Sequence, residues 1–190
     1  MRHALALFTL LSLLAASAAT PAARGGAATT PAAQAKSSGA VTRCDARAYL
    51  KDDDPRGTNV RSGPGSDFKV VGVLKNQEAE GVDVHITGSK GSWVRIDRAE
   101  DTGRGVELFK GEGWLYAPLL AVDGQGGFNG GTPLYRGPSK RGRPVTRVPV
   151  EGYGATVRGC RGGWLHVEYR GVKGWGLSGE LCPIAITNCS

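Results

Sequence analysis

Few residues of this chain could carry bond-making chemistry. Beyond residue 40 there are two histidines, His85 and His166, four cysteines, Cys44, Cys160, Cys182 and Cys189, and one carboxylate run, Asp52-Asp53-Asp54. A hydrolase needs a nucleophile beside a base, a pair of carboxylates, or a zinc ion on nitrogen, sulfur and oxygen ligands. Both histidines fall on the polar phase of alternating segments, where a surface strand residue is a plainer reading than a catalytic base. No cysteine pair has the two-to-four-residue spacing of a zinc site, and no histidine stands near one. Asp52-Asp53-Asp54-Pro55-Arg56-Gly57 has the outline of a calcium loop. Arg56 occupies the third ligand position, however, and Gly63 stands where the closing glutamate belongs, so the run reads as an acidic loop. No glycine-rich phosphate loop occurs in the required context. The remaining chemistry is recognition, through Trp93, Trp114, Trp164 and Trp175 and an uneven set of arginines. The chain is expected to be a binding protein and not an enzyme, with no metal and no cofactor.

The elements that must position these side chains are strands. Val82, Val84 and Ile86 alternate with Asp83, His85 and Thr87, and Leu165, Val167 and Tyr169 alternate with Trp164, His166 and Glu168. A period of two marks a half-buried strand. Glycine and proline interrupt the chain every few residues, as at Gly63-Pro64-Gly65, Gly111 to Gly113, Gly137-Pro138 and Gly162-Gly163. Short strands between such turns predict a small all-β sandwich or barrel. Short helical turns are expected at residues 117–120 and 178–181.

One pattern occurs twice. Asn59-Val60-Arg61-Ser62-Gly63-Pro64-Gly65 is followed by Gly91-Ser92-Trp93 and Gly113-Trp114. Leu134-Tyr135-Arg136-Gly137-Pro138-Ser139 is followed by Gly162-Gly163-Trp164 and Gly174-Trp175. A repeat of this length implies two copies of one small domain. The first set resembles the opening motif and later strands of the bacterial Src-homology-3-like (SH3-like) domain family of extracytoplasmic proteins, and the second is a looser version. The resemblance covers about residues 44–183. It implies an all-β fold of two tandem small SH3-like β-barrels, at 44–122 and 132–190, joined by a Gly-rich linker at 123–131. The family's ligands lie across a groove floored by aromatic side chains, which makes Trp93, Trp164 and Tyr135 candidate ligand-binding residues. The other reading of the two tryptophans is that they cover the end of the core.

The copies differ. From Trp93 to Trp114 is 21 residues, against 11 from Trp164 to Trp175. The extra segment, about Asp97 to Lys110, reads as a lengthened hairpin, either a specificity loop or a tolerated insertion. Residues 44–122 carry a net charge of −2 and residues 123–190 a net +5. Arg136, Lys140, Arg141, Arg143 and Arg147 crowd together after the second Gly-Pro turn. Arg136, Arg141 and Arg143 are therefore candidates to hold an anionic partner, and the competing reading is a solvated loop.

Residues 1–19 read as a secretory signal peptide: Met1-Arg2-His3, an uncharged apolar run from Ala4 to Leu14, then small residues. The run is shorter than the ~20 residues of a membrane span. Residues 20–43 are rich in Ala, Thr, Pro, Gly and Ser and read as a flexible linker. An exported, secreted or periplasmic chain with four cysteines implies two disulfides, for which three connectivities exist. Cys44–Cys160 with Cys182–Cys189 is one that links the copies, and Cys44–Cys189 with Cys160–Cys182 is another. The expected function is a non-catalytic extracytoplasmic module that recognises cell wall or envelope polymer, with an envelope protein or peptide as the alternative partner. Nucleic acid and a transmembrane anchor are not expected.

Overall fold

The computed structural model describes residues 39–75, 81–150, 154–184 and 189. The expected signal peptide, residues 20–38 of the expected linker, and Tyr153 lie outside the described residues. Thirteen strands follow one another along the described chain. They are β1 (Thr42–Leu50), β2 (Thr58–Arg61), β3 (Val70–Leu74), β4 (Val82–Lys90), β5 (Trp93–Asp101), β6 (Val106–Tyr116) and β7 (Leu120–Gly124). Then come β8 (Thr132–Leu134), β9 (Thr146–Val148), β10 (Ala155–Arg161), β11 (Trp164–Tyr169), β12 (Val172–Leu177) and β13 (Leu181–Cys182). The only helical turns among the described residues are 3-10, at Ala117–Leu119 and Ser178–Glu180, where short turns are expected.

Strand polarity follows the alternation. In β11, Leu165 and Val167 are fully buried and Tyr169 nearly so, while Trp164, His166 and Glu168 are half-buried on the other face. In β4, Val82, Val84 and Ile86 are buried, but so is Asp83. β11 turns into β12 through Arg170 and Gly171, both at positive φ (48° and 78°), with Tyr169 opposite Val172. Two consecutive positive-φ residues give the tight two-residue turn that suits strand twist.

The expectation of two small barrels is overturned. No sheet closes into a barrel. Eleven strands form one sheet in the order β12-β11-β10-β7-β1-β4-β5-β6-β2-β3, with β13 paired to β7 off this path, and β8-β9 make a separate two-stranded sheet. The physical cause lies in β7. One edge pairs with β1 (Tyr49↔Ala121, Leu50↔Leu120) and the other with β10 (Ala155↔Val122, Thr156↔Ala121). Its edges therefore join the earlier strands to the later ones. Alternation specifies which face a strand buries but not which edge it finds.

One buried cluster runs across the chain, from Leu50, Val84 and Ile96 to Val157, Leu165 and Leu181. Asp123, at the expected linker, is instead buried within β7 and accepts a hydrogen bond from the Tyr49 hydroxyl at 3.3 Å. β1 starts at Thr42, inside the expected N-terminal linker.

The extra segment of residues 97–110 extends two strands rather than forming a loop. β5 and β6 stay paired out to Asp101↔Val106, and β4 follows as far as Val82↔Asp101. Gly105 (φ 62°) and the Arg104–Asp101 ion pair, at 2.6 Å, close the turn.

Cys44 is bonded to Cys160, 116 residues away, and Cys182 to Cys189, 7 residues away. Around the first bridge, Ser89 Oγ donates to Cys160 O (3.0 Å) and accepts from Cys160 N (3.2 Å), while Asp45 N donates to Gly162 O (2.8 Å). A longer closed loop restricts the unfolded chain more. The double variant C44S/C160S is expected to lose about 2–5 kcal/mol in urea unfolding, and C182S/C189S clearly less. Equal losses would contradict the loop-length argument.

Candidate aromatic binding faces

The sheet carries two aromatic clusters with matching strand registers. In the first, Trp93 opens β5 opposite Tyr116, and the rings are 5.6 Å apart and tilted by 58°. Trp114, on β6, lies between Arg95 of β5 and Arg61 of β2. In the second, Trp164 opens β11 opposite Leu177, with Tyr135 edge-on at 6.1 Å and 82°. Trp175, on β12, lies between His166 of β11 and Tyr135, with its ring stacked on His166 at 4.8 Å and 20°. Arg61 and Tyr135 occupy corresponding places, each two residues before a Gly-Pro.

The clusters differ in what they offer. Trp114 is only 4% exposed, so the first presents mainly Trp93, Tyr116 and the flanking arginines. Arg95 is held by Thr87 Oγ1 (3.1 Å) and Glu112 (3.4 Å), and Arg61 donates to Phe68 O (2.8 Å). In the second, Trp164, Trp175, His166 and Tyr135 are all half-buried, giving a broader ring surface. Glu168 takes ion pairs from Arg158 (3.2 Å) and Lys173 (3.9 Å) at its border. Burial first, then Lys173 and Arg158, hold the His166 pKa below the ordinary histidine value, so its ring stays neutral near pH 7.

Of the residues singled out by sequence, the structure brings Tyr135 and Trp164 together. Trp93 stands apart from them, with four strands between β5 and β11 in the sheet order. Arg136 follows Tyr135 directly and is exposed. Arg141 and Arg143 are exposed on the same loop, with no ion pair or ring contact among the described residues, while Lys140 is paired with Glu180. Arg147 donates to Gly131 O at 2.8 Å. Sequence reasoning named Trp175 but missed Tyr116, His166, Arg61 and Arg95 as members of these faces. The available signal was phase: Trp164 and His166 share a parity on one strand, and a hairpin sets Trp175 across from His166.

A third grouping lies where β1, β4 and β5 run side by side. His85 Nδ1 is 2.7 Å from Asp97 and its Nε2 is 2.9 Å from Asp45. Next to it, buried Asp83 is ion-paired with Arg47, and Arg98 pairs with Glu100 at 3.3 Å. Arg47, Asp83, His85, Arg98 and Glu100 line a shallow recess. Burial pushes the Asp83 carboxyl up to about 6 against the opposing pull of Arg47. Two carboxylates of the acidic loop are occupied locally: Asp52 accepts from the Thr58 hydroxyl, and Asp54 from Arg56 N (2.9 Å) and Nη2 (2.8 Å). Among the described residues no group of three or more His, Cys, Asp or Glu is arranged to hold a metal. Among them, too, no helix is long and apolar enough to cross a membrane.

Residues 56–121 match the bacterial SH3 domain family. The matched segment is an SH3-like domain, a non-catalytic kind of binding module, and it contains the first aromatic cluster and the lengthened hairpin. Searches of curated proteins and of solved structures gave no match.

The His85 contacts yield a pH test. A neutral imidazole has one N–H, and both ring nitrogens face carboxylates that only accept, so the arrangement fits the imidazolium. Burial lowers the His85 pKa, but the hydrogen bonds to Asp45 and Asp97 outweigh it and leave the value raised above 6.5. A pKa raised by folding stabilises the native state fully below the unfolded value and loses that effect as pH climbs through the folded one. The stability gap between the parent protein and His85→Gln should thus be widest near pH 5 and close toward pH 8.5. A gap independent of pH would refute the charged clamp.

Proposed function

We propose that this protein is an extracytoplasmic, non-catalytic binding protein that recognises anionic cell wall or envelope polymer. On this reading residues 1–19 are a secretory signal, the residues from 20 up to β1 at Thr42 a linker, and 132–190 a second SH3-like unit, joined to the first by the glycine-rich stretch that follows β7. The corresponding registers Arg61–Trp114–Arg95 and Tyr135–Trp175–His166 support a second unit.

The observation that carries the binding reading is the half-buried surface of Tyr135, Trp164, Trp175 and His166, continued by exposed Arg136. Stacked aromatic side chains make a flat, preorganised contact for a ring or a glycan face, and Trp and Tyr add donors at their edges. Arg136, Arg141 and Arg143 supply positive charge on the adjoining loop. The second reading, a peptide or envelope protein partner, draws on the same aromatic surface without requiring the basic loop.

Pure protein incubated with isolated wall sacculi should co-sediment and release no soluble fragments. Trp164→Ala should weaken binding about five-fold, equivalent to ~1 kcal/mol, since aromatic anchors dominate contact surfaces. The double change R141A/R143A should weaken binding at low salt and matter little at high salt, where exposed charges are screened. Release of wall fragments would overturn the non-enzymatic reading. Absence of sedimentation would reject the polymer and leave the protein partner.

A further inference from the structure

A second surface lies at the far end of the strand order from β11 and β12. β3 is the last strand on its side, paired with β2 along one edge, and no described strand pairs with its other edge. Four of the nine exposed large apolar side chains among the described residues fall in six residues here: Phe68, Val70, Val71 and Val73, at 38–47% exposure. The strand's inner contacts are satisfied separately, since Leu74 is buried and Gly72 sits against the Phe109 ring, where a Cβ would meet Cδ2 at 3.1 Å. The outward sides of Val70, Val71 and Val73 remain open to solvent, with Val73 Cγ1 also lying beside Gly57.

The turn leading into the edge is braced. The Phe68 ring covers Gly63 so closely that a Cβ there would lie 2.2 Å from it. Arg61 donates to Phe68 O and Ser62 N to Lys69 O, both at 2.8 Å. An extended edge entered through a braced turn offers backbone donors and acceptors to an incoming strand at little ordering cost.

Charge selects the occupant. The strand reads Lys69-Val70-Val71-Gly72-Val73-Leu74-Lys75. Two copies paired about Gly72 would set Lys69 against Lys75 at both ends, and like charges directly opposite are destabilising. Val71 is moreover the extra residue of a bulge against β2, between Val60↔Gly72 and Arg61↔Val70. A bulge adds twist that turns an edge away from flat self-pairing. Neither lysine has an ion-pair partner among the described residues. We propose that the free edge of β3 binds an extended segment of a partner protein that carries β-branched residues opposite Val71 and Val73 and carboxylates opposite Lys69 and Lys75. This goes beyond the polymer reading and involves none of its residues.

The test uses the full oxidised protein and a capped synthetic peptide, Glu-Thr-Val-Thr-Val-Thr-Glu. The peptide should move amide resonances of residues 58–75 and leave those of β11 and β12 in place. A peptide with lysine in place of both glutamates should bind about ten-fold more weakly at low salt, as opposite charges become like ones. Val73→Lys, at an exposed site, should keep the parent melting temperature and lose peptide binding. No resonance shifts at millimolar peptide, or equal binding of the two peptides, would overturn the proposal. So would a dimer seen by analytical ultracentrifugation that Val73→Lys abolishes, because the occupant would then be a second copy.

Discussion

The double pairing of β7 is the constraint on which the rest of this structure depends. A five-residue strand, Leu120–Gly124, is buried along its whole length and hydrogen-bonded on one edge to β1 and on the other to β10. That position joins the earlier and the later strands around one continuous buried cluster. It also explains why a carboxylate is buried in the middle of the joint. Asp123 is held by the Tyr49 hydroxyl, and burial pushes both groups toward their protonated forms. Ser89 and the Cys44–Cys160 bridge fix the same junction a few residues away.

The two aromatic faces carried by this framework differ. The positions flanking the central tryptophan are Arg61 and Arg95 in one and Tyr135 and His166 in the other. The first is a buried ring between guanidinium groups, and the second is an open run of rings. Net charge does not forecast this difference. Residues 44–122 are acidic as a whole, yet their central tryptophan is flanked by Arg61 and Arg95, with Glu112 the carboxylate paired to Arg95. Pattern at the level of a face decides what a surface can bind, and whole-segment charge averages it away.

Much of the local structure was legible in the residues. Alternation located β4 and β11, the glycines located the turns, and the Trp93–Trp114 spacing revealed the longer hairpin. The barrels were not borne out, because closure depends on which edge each strand finds, and β7 pairs with β1, β10 and β13, none of them next to it in sequence. Asp123 was read as linker since it begins a glycine-rich stretch, and hydrogen bonds from Tyr49 and the Gly154 backbone, both distant in sequence, make its burial tolerable. His85 and His166 were correctly placed on the polar phase, but each acquires its character from residues far away in sequence: Asp45 and Asp97 for one, Trp175 for the other. Single-strand periodicity is blind to such cross-strand neighbours.

The Cys44–Cys160 bridge makes residues 44 to 160 a covalent ring. The ring includes the acidic loop, the long hairpin, the glycine-rich stretch after β7 and the basic loop, which are the segments most open to a protease. A single cut anywhere inside it opens the ring without producing two molecules. Residues 182 to 189 form a second, smaller ring at the tail with the same property. The oxidised protein therefore tolerates nicking in its exposed loops while keeping both aromatic faces on one covalent framework, and the reduced protein does not.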